Sequence, residues 1–161
     1  MLLTSVLVVA ALGQSTAPMS TEELSSQLIA EVNRARVENK KSELVVDRSL
    51  ANASKWLAED MAKYGYFGHE DREGKDCGDR AKKFGYHRYR VVRENLAMTG
   101  KSKGARDTVK LWLESPHHRE NLLAADVNDL GVGVAVRQNG QINWVLLVGA
   151  KQPDRVNAPG R

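Results

Sequence analysis

The sequence predicts an α+β domain with helices packed on a small, mainly antiparallel sheet. Apolar residues recur at helical spacing through the first third of the chain, short extended pieces occupy the middle, and an Asn-Gly hairpin signal closes it. At 161 residues with a 42% hydrophobic fraction, the chain is long enough for one sizeable core and too short for two comfortable ones. No internal repeat and no linker divides residues 20–151, which are read as a single domain.

The elements follow in order. The first twelve residues, MLLTSVLVVAAL, carry no charged side chain and run into the small, polar GQSTAPMS. That apolar run has the length of a signal-peptide core and is too short to span a bilayer, so residues 1–19 are expected to be a leader, with the mature chain starting between Gln14 and Met19. Ser20-Thr21-Glu22-Glu23 is a capping box, and Leu24, Leu28, Ile29, Val32 and Ala35 follow on one helical face until the polar Glu38-Asn39-Lys40-Lys41. Asp47 can cap a second helix whose stripe is Leu50, Ala53, Leu57 and Met61, with Trp56 beside it and Gly65 as its stop.

Phe67 to Cys77 reads as a charged loop. Asp79 is expected to cap a short helix from Ala81 to Phe84, stopped by Gly85. Val91-Val92 and Leu96-Ala97 read as two short extended pieces around Arg93-Glu94-Asn95, and Ala105 to Leu113 as a helix. Pro116 can open another helix at its first position, with Ser115 as N-cap. Leu130 to Arg137 and Ile142 to Val148 flank Gln138-Asn139-Gly140-Gln141, a hairpin. The second of those strands is apolar on both sides of its pleat and is expected to be central and buried. The tail from Gln152 to Arg161, with two prolines, is expected to be disordered.

Composition excludes several function classes. The net charge of +4 comes from basic residues scattered among acids, with no aromatic interleaving and no nucleic-acid motif, so no nucleic-acid partner is expected. Cys77 is the only cysteine, which rules out an intramolecular disulfide and leaves packing to hold the fold. Its neighbours Lys75, Asp76, Gly78 and Asp79 offer no paired base, so a thiol nucleophile is not indicated. Ser115 lies outside any Gly-x-Ser-x-Gly elbow, and an N-cap role would occupy its oxygen.

Three segments could carry chemistry: Phe67-Gly68-His69-Glu70, Arg93-Glu94-Asn95-Leu96-Ala97 and Ser115-Pro116-His117-His118-Arg119-Glu120-Asn121-Leu122-Leu123. Adjacent helical positions diverge by about 100°, so of His117 and His118 one faces inward and one outward. Neutral imidazoles suit zinc or copper, and a nearby carboxylate could hold a coordinated water or act as base, but there is no His-Glu-x-x-His signature. The same residues could equally form a hydrogen-bonded network that fixes loops without chemistry.

With Asn33 and Arg36 in the first helix, Leu50 and Ala53 in the second, Trp112, Gly131-Val132-Gly133-Val134-Ala135 and Trp144, these segments resemble the bacterial branch of the CAP superfamily. Its members are also called SCP-like, or cysteine-rich secretory, antigen 5 and pathogenesis-related 1 proteins. The resemblance runs from about residue 24 to 150. It implies a three-layer α/β/α sandwich with two histidines and two acids around a solvent-open cleft. His69 matches the first histidine, Glu94 the acid before Asn-Leu-Ala, and His118 the second histidine, which makes His117 the outward neighbour. The second acid has no clear match: Ser115 stands at the expected position and Glu114 one residue earlier. Arg93 stands where glycine is common.

What the resemblance implies for function is a secreted, extracellular or periplasmic binding or interaction module, whose partner is a small ligand, a lipid or a cell-envelope component. No transmembrane segment is expected in the mature chain, and no cofactor is required. Weak exchange of zinc or another divalent metal at His69 and His118 is the one cofactor it suggests. Two alternatives stand beside it: a metal-assisted hydrolase with Glu94 as the catalytic base, and a cleft whose residues only stabilise the fold.

Overall fold

The computed structural model describes residues 19–153. The leader reading, apart from Met19, and the tail beyond Pro153 therefore lie outside the described residues. Helix α1 spans Thr21–Glu38, strand β1 Val45–Val46 and helix α2 Arg48–Tyr64. They are followed by α3 at Cys77–Lys83, β2 at Tyr89–Thr99, α4 at Ala105–Glu114 and α5 at Pro116–Leu122. Strands β3, Asp129–Val136, and β4, Ile142–Lys151, complete the fold.

The four strands lie in the order β1-β3-β4-β2. Strand β4 pairs antiparallel with β3 on one side and β2 on the other, while β1 pairs parallel to β3 at Asp129 and Leu130. Alternation along β4 assigns its two faces. Trp144, Leu146 and Val148 join Leu28 and Val32 of α1 and Val109 and Trp112 of α4, whereas Val145 and Leu147 join Leu50, Leu57 and Met61 of α2. A strand buried on both faces has to be apolar throughout, which is how β4 reads. The result is an α/β/α sandwich, with α1, α4 and α5 on one face and α2 and α3 on the other.

Local chemistry accounts for the helix ends. The Ser20 hydroxyl accepts from the Glu23 amide while the Glu23 carboxylate accepts from the Ser20 amide. Asp47 caps α2 through the amides of Ser49 and Leu50, and Gly65 ends it at φ 75°, the left-handed region that glycine adopts without steric cost. Between α2 and β3 the backbones touch. A Cβ at Gly131 would lie 2.1 Å from the Leu50 carbonyl carbon, and one at Gly133 would lie 2.2 Å from Ser54 backbone atoms. The glycines of Gly131-Val132-Gly133 are thus what lets α2 lie directly on the sheet.

The structure corrects two details of the sequence reading and adds two that it lacked. Strand β2 is one continuous element of 11 residues, because pairing with β4 along its length outweighs the polar Arg93-Glu94-Asn95. Helix α3 begins earlier than expected: Asp76, not Asp79, is its N-cap, and accepts from the Asp79 amide. Strand β1 has only two residues, too few for any period to reveal. Trp112 and Trp144 are core, but Trp56 is only partly buried and sits under the Lys83 ammonium, 4.6 Å from its ring centre.

Candidate functional site

Residue Glu94 lies in the middle of β2 with its side chain turned inward, 2% exposed. A carboxylate buried this deeply requires compensation. Arg80 of α3, itself 1% exposed, donates from Nη2 to Glu94 Oε2 at 2.6 Å, and its Nη1 donates to the carbonyls of His69 and Lys75 at 2.9 and 2.6 Å. The other carboxylate oxygen, Oε1, lies 2.8 Å from His69 Nδ1. One arginine therefore neutralises the acid and also holds the loop that carries the histidine.

A second set of bonds fixes the start of α5. Asn95 donates to the His118 carbonyl at 2.8 Å, and Asn121 donates both to the Glu94 carbonyl at 3.2 Å and to the Asn95 side-chain oxygen at 3.0 Å. Consecutive residues on a strand face opposite sides of the sheet, so Glu94 serves the α3 side and Asn95 the α5 side. Above this network opens a cavity of about 340 Å³ lined by His69, Asp76, Cys77, Arg93, Glu94, His117 and Asn121.

The two imidazoles that the sequence singled out are tuned in opposite directions. The hydrogen bond to Glu94 holds the His69 ring above its ordinary pKa, with partial burial opposing it, and the ring remains 60% exposed. His118 is pushed below its ordinary value by desolvation, then by the charges of His117 and His69. Cys77 is half-buried, and that burial pushes its thiol up to about 11, which leaves no thiolate nucleophile near neutrality.

His69 and Glu94 meet as a hydrogen-bonded pair. His117, read as the outward member of its pair, lines the cavity, while His118 is the more buried of the two. Glu114 does not join them: it is exposed, 3.8 Å from Lys110, and lines a different cavity on the outer side of α4. Ser115 marks the break between α4 and α5, but its side chain makes no capping bond, so the expected N-cap interaction is absent there. Among the described residues, no group of three or more His, Cys, Asp or Glu side chains is placed to hold a metal ion. Both Glu94 oxygens already accept hydrogen bonds within the protein.

Sequence reasoning missed Arg80. It is one of 24 basic residues, and no spacing distinguishes the one that turns inward. The usable signal was chemical: an inward-facing acid on a strand demands a cation from the layer that covers it. Arg36 was noted only for the resemblance; buried in α1, it donates to the carbonyls of Ser42, Leu122 and Ala124 and so ties α1 to the end of α5.

Comparison with known proteins gives a consistent picture. A family model described as the cysteine-rich secretory protein family, CAP, matches residues 29–148. Two Bacillus subtilis proteins are similar in sequence. YkwD is 28% identical over 119 residues, 74% of this chain and 45% of its own length. The membrane protein YlbC is 32% identical over 108 residues, 67% of this chain and 30% of its own length. The chain thus spans less than half the length of these curated relatives. Among solved structures, an outer surface protein from Borrelia burgdorferi superposes with a TM-score of 0.74 at 23% identity, covering 83% of this chain and 97% of that one. An extracellular SCP-domain protein from Bacillus anthracis gives 0.69 at 23% identity, covering 84% and 45%.

Proposed function

The chain belongs to the cysteine-rich secretory protein family, CAP, and on that premise we propose that it works outside the cytoplasm as a binding or interaction module and not as a hydrolase. The observation that carries this reading is the state of Glu94. Both carboxylate oxygens accept hydrogen bonds within the protein, one from buried Arg80 and one at the His69 ring. A carboxylate so engaged orients an imidazole, and at 2% exposure it has little access to an attacking water.

The groups at the cavity that can meet a ligand are the exposed His69 and His117 rings and the half-buried Arg93 guanidinium, which is paired with Asp126 at 2.8 Å. Such a surface suits a polar or anionic group of a small ligand, lipid or cell-envelope component. Export is supported by the sequence reading of residues 1–19 and by the family's secretory character. Among the described residues no helix is long and apolar enough to cross a membrane. Of the divalent-ion reading, only the two imidazoles of His69 and His118 remain, and zinc is its test ion.

Histidine ring resonances followed by NMR during addition of soluble peptidoglycan fragments or short-chain phospholipid test the reading. Saturable shifts at His69 and His117 without turnover are expected from at least one of them. Ester or peptide hydrolysis that disappears in Glu94→Gln would replace binding by catalysis, and silence of both rings towards every probe would remove the cleft from function.

A further inference from the structure

We propose that the end of the sandwich where α1 begins and the β3–β4 hairpin turns is a contact face for an anionic membrane surface. A cavity of about 510 Å³ opens there between the start of α1, the loop from β2 to α4 and the hairpin. Leu24 and Ile142, both buried, form its apolar floor, and Met19 and Val136 at its mouth are 48% and 50% exposed. Lys101 and Lys103 stand beside them, and both are exposed. Among the described residues no acid lines this cavity, and it shares no lining residue with the Glu94 cleft. The acids nearest in sequence are engaged in helix caps. Glu23 accepts from the Ser20 amide and hydroxyl, while Asp107 accepts from the Gly104 amide and lies 3.7 Å from Lys103 in a solvent-exposed, weak pair.

Charge selects the occupant. Residues 1–18, which lead into Met19, carry no charged side chain and so offer the two lysines no partner. A second copy of this chain, set face to face, would bring the same two lysines on a molecule of net charge +4. A soluble anionic polymer would pair with the lysines and leave Met19 and Val136 in water. An anionic leaflet meets both demands: its phosphates face the ammonium groups, the apolar side chains enter the interface, and the lysine stems span the two. The stem of Lys101 already lies along the hairpin, 3.6 Å from where a Cβ at Gly140 would stand.

The test co-sediments the full chain with vesicles of phosphatidylcholine, alone or mixed with phosphatidylglycerol, and follows quenching of a Val136→Trp variant by brominated phosphatidylglycerol. Binding should require phosphatidylglycerol and weaken in high salt. Lys101→Gln and Lys103→Gln should each weaken it about fivefold. Lys75→Gln and Lys82→Gln, equally exposed but beside a different cavity, should leave it unchanged. Quenching at position 136 should exceed that of the wild-type tryptophans, and the unfolding midpoint should stay in place in every variant. Equal binding to phosphatidylcholine alone overturns the proposal, because insertion of the apolar run within residues 1–18 would then suffice. It is overturned as well if all four lysine variants weaken binding alike, if no vesicle binds, or if position 136 is unquenched in the bound protein. A position 136 already shielded before vesicles are added would put residues 1–18 or a second copy on this face, and would also overturn it.

Discussion

Helix α2 meets the sheet as backbone against backbone, through glycine, with no charge at the contact. On the far strand, β2, the contact with α3 is made by a buried ion pair whose arginine also donates to two carbonyls of the α2–α3 loop. The first contact tolerates nothing larger than hydrogen at two positions; the second tolerates no loss of charge. Packing holds one half of this molecule and electrostatic compensation holds the other, and the second half carries the cavity lined by His69, Glu94 and His117.

The difference can be broken from either side. Removing Arg80 should have the largest effect, because Arg80→Ala leaves Glu94 buried without its counter-charge, a loss of about 3–5 kcal/mol in urea unfolding. Replacing both members, Arg80→Met with Glu94→Leu, should recover most of that stability while freeing His69, and a double variant as unstable as Arg80→Ala would show that the pair is not the source. On the packing side, Gly133→Ala should cost about 3 kcal/mol, since its Cβ would overlap the backbone of α2. A change below about 1 kcal/mol would mean that α2 can move away from the sheet, and that the close approach is not a constraint.

The smallest expected effect is on pH. His69 has a folded value above its ordinary 6.5, so it binds its proton more tightly when folded. Its stabilisation is complete below about 6.5 and is lost as pH rises through the folded value. His118 has the opposite sign: its folded value lies below 6.5, so its contribution is present above that pH and is lost as pH falls through the folded value. Because the His69 ring is mostly in water, the stability change is small and best read from ring titrations. His69 should titrate above and His118 below the ordinary value; coincident curves would mean that Glu94 does not hold His69.

The packing half was legible in the sequence because its signals are periodic. Leu50, Ala53, Leu57 and Met61 repeat at helical spacing and all are buried, and the Asn139-Gly140 turn joins the two central strands. In the cleft, His69 and Glu94 were found through a resemblance in motif order, and they do meet. What could not be read was the partner that compensates Glu94. Arg80 lies 14 residues away on another element, and its role follows from three-dimensional closure and not from any repeat. The choice between His117 and His118 depends on closure in the same way: His118 is the more buried, while His117 lines the cavity. Helical spacing separates their directions, but only the placement of α5 against β2, through Asn95 and Asn121, determines which ring lines the cavity.

The central proposal is that Glu94 positions the cleft and acts as neither a metal ligand nor a catalytic base. Thermal unfolding of wild type and Glu94→Gln, each with and without zinc, tests it most directly. The amide keeps the shape but loses the charge opposite Arg80, so the account predicts a loss of about 1–3 kcal/mol for Glu94→Gln without zinc, and no zinc-dependent rise in either protein. A wild type stabilised by zinc, with that stabilisation lost in an otherwise equally stable Glu94→Gln, would contradict the account and return Glu94 to a metal site.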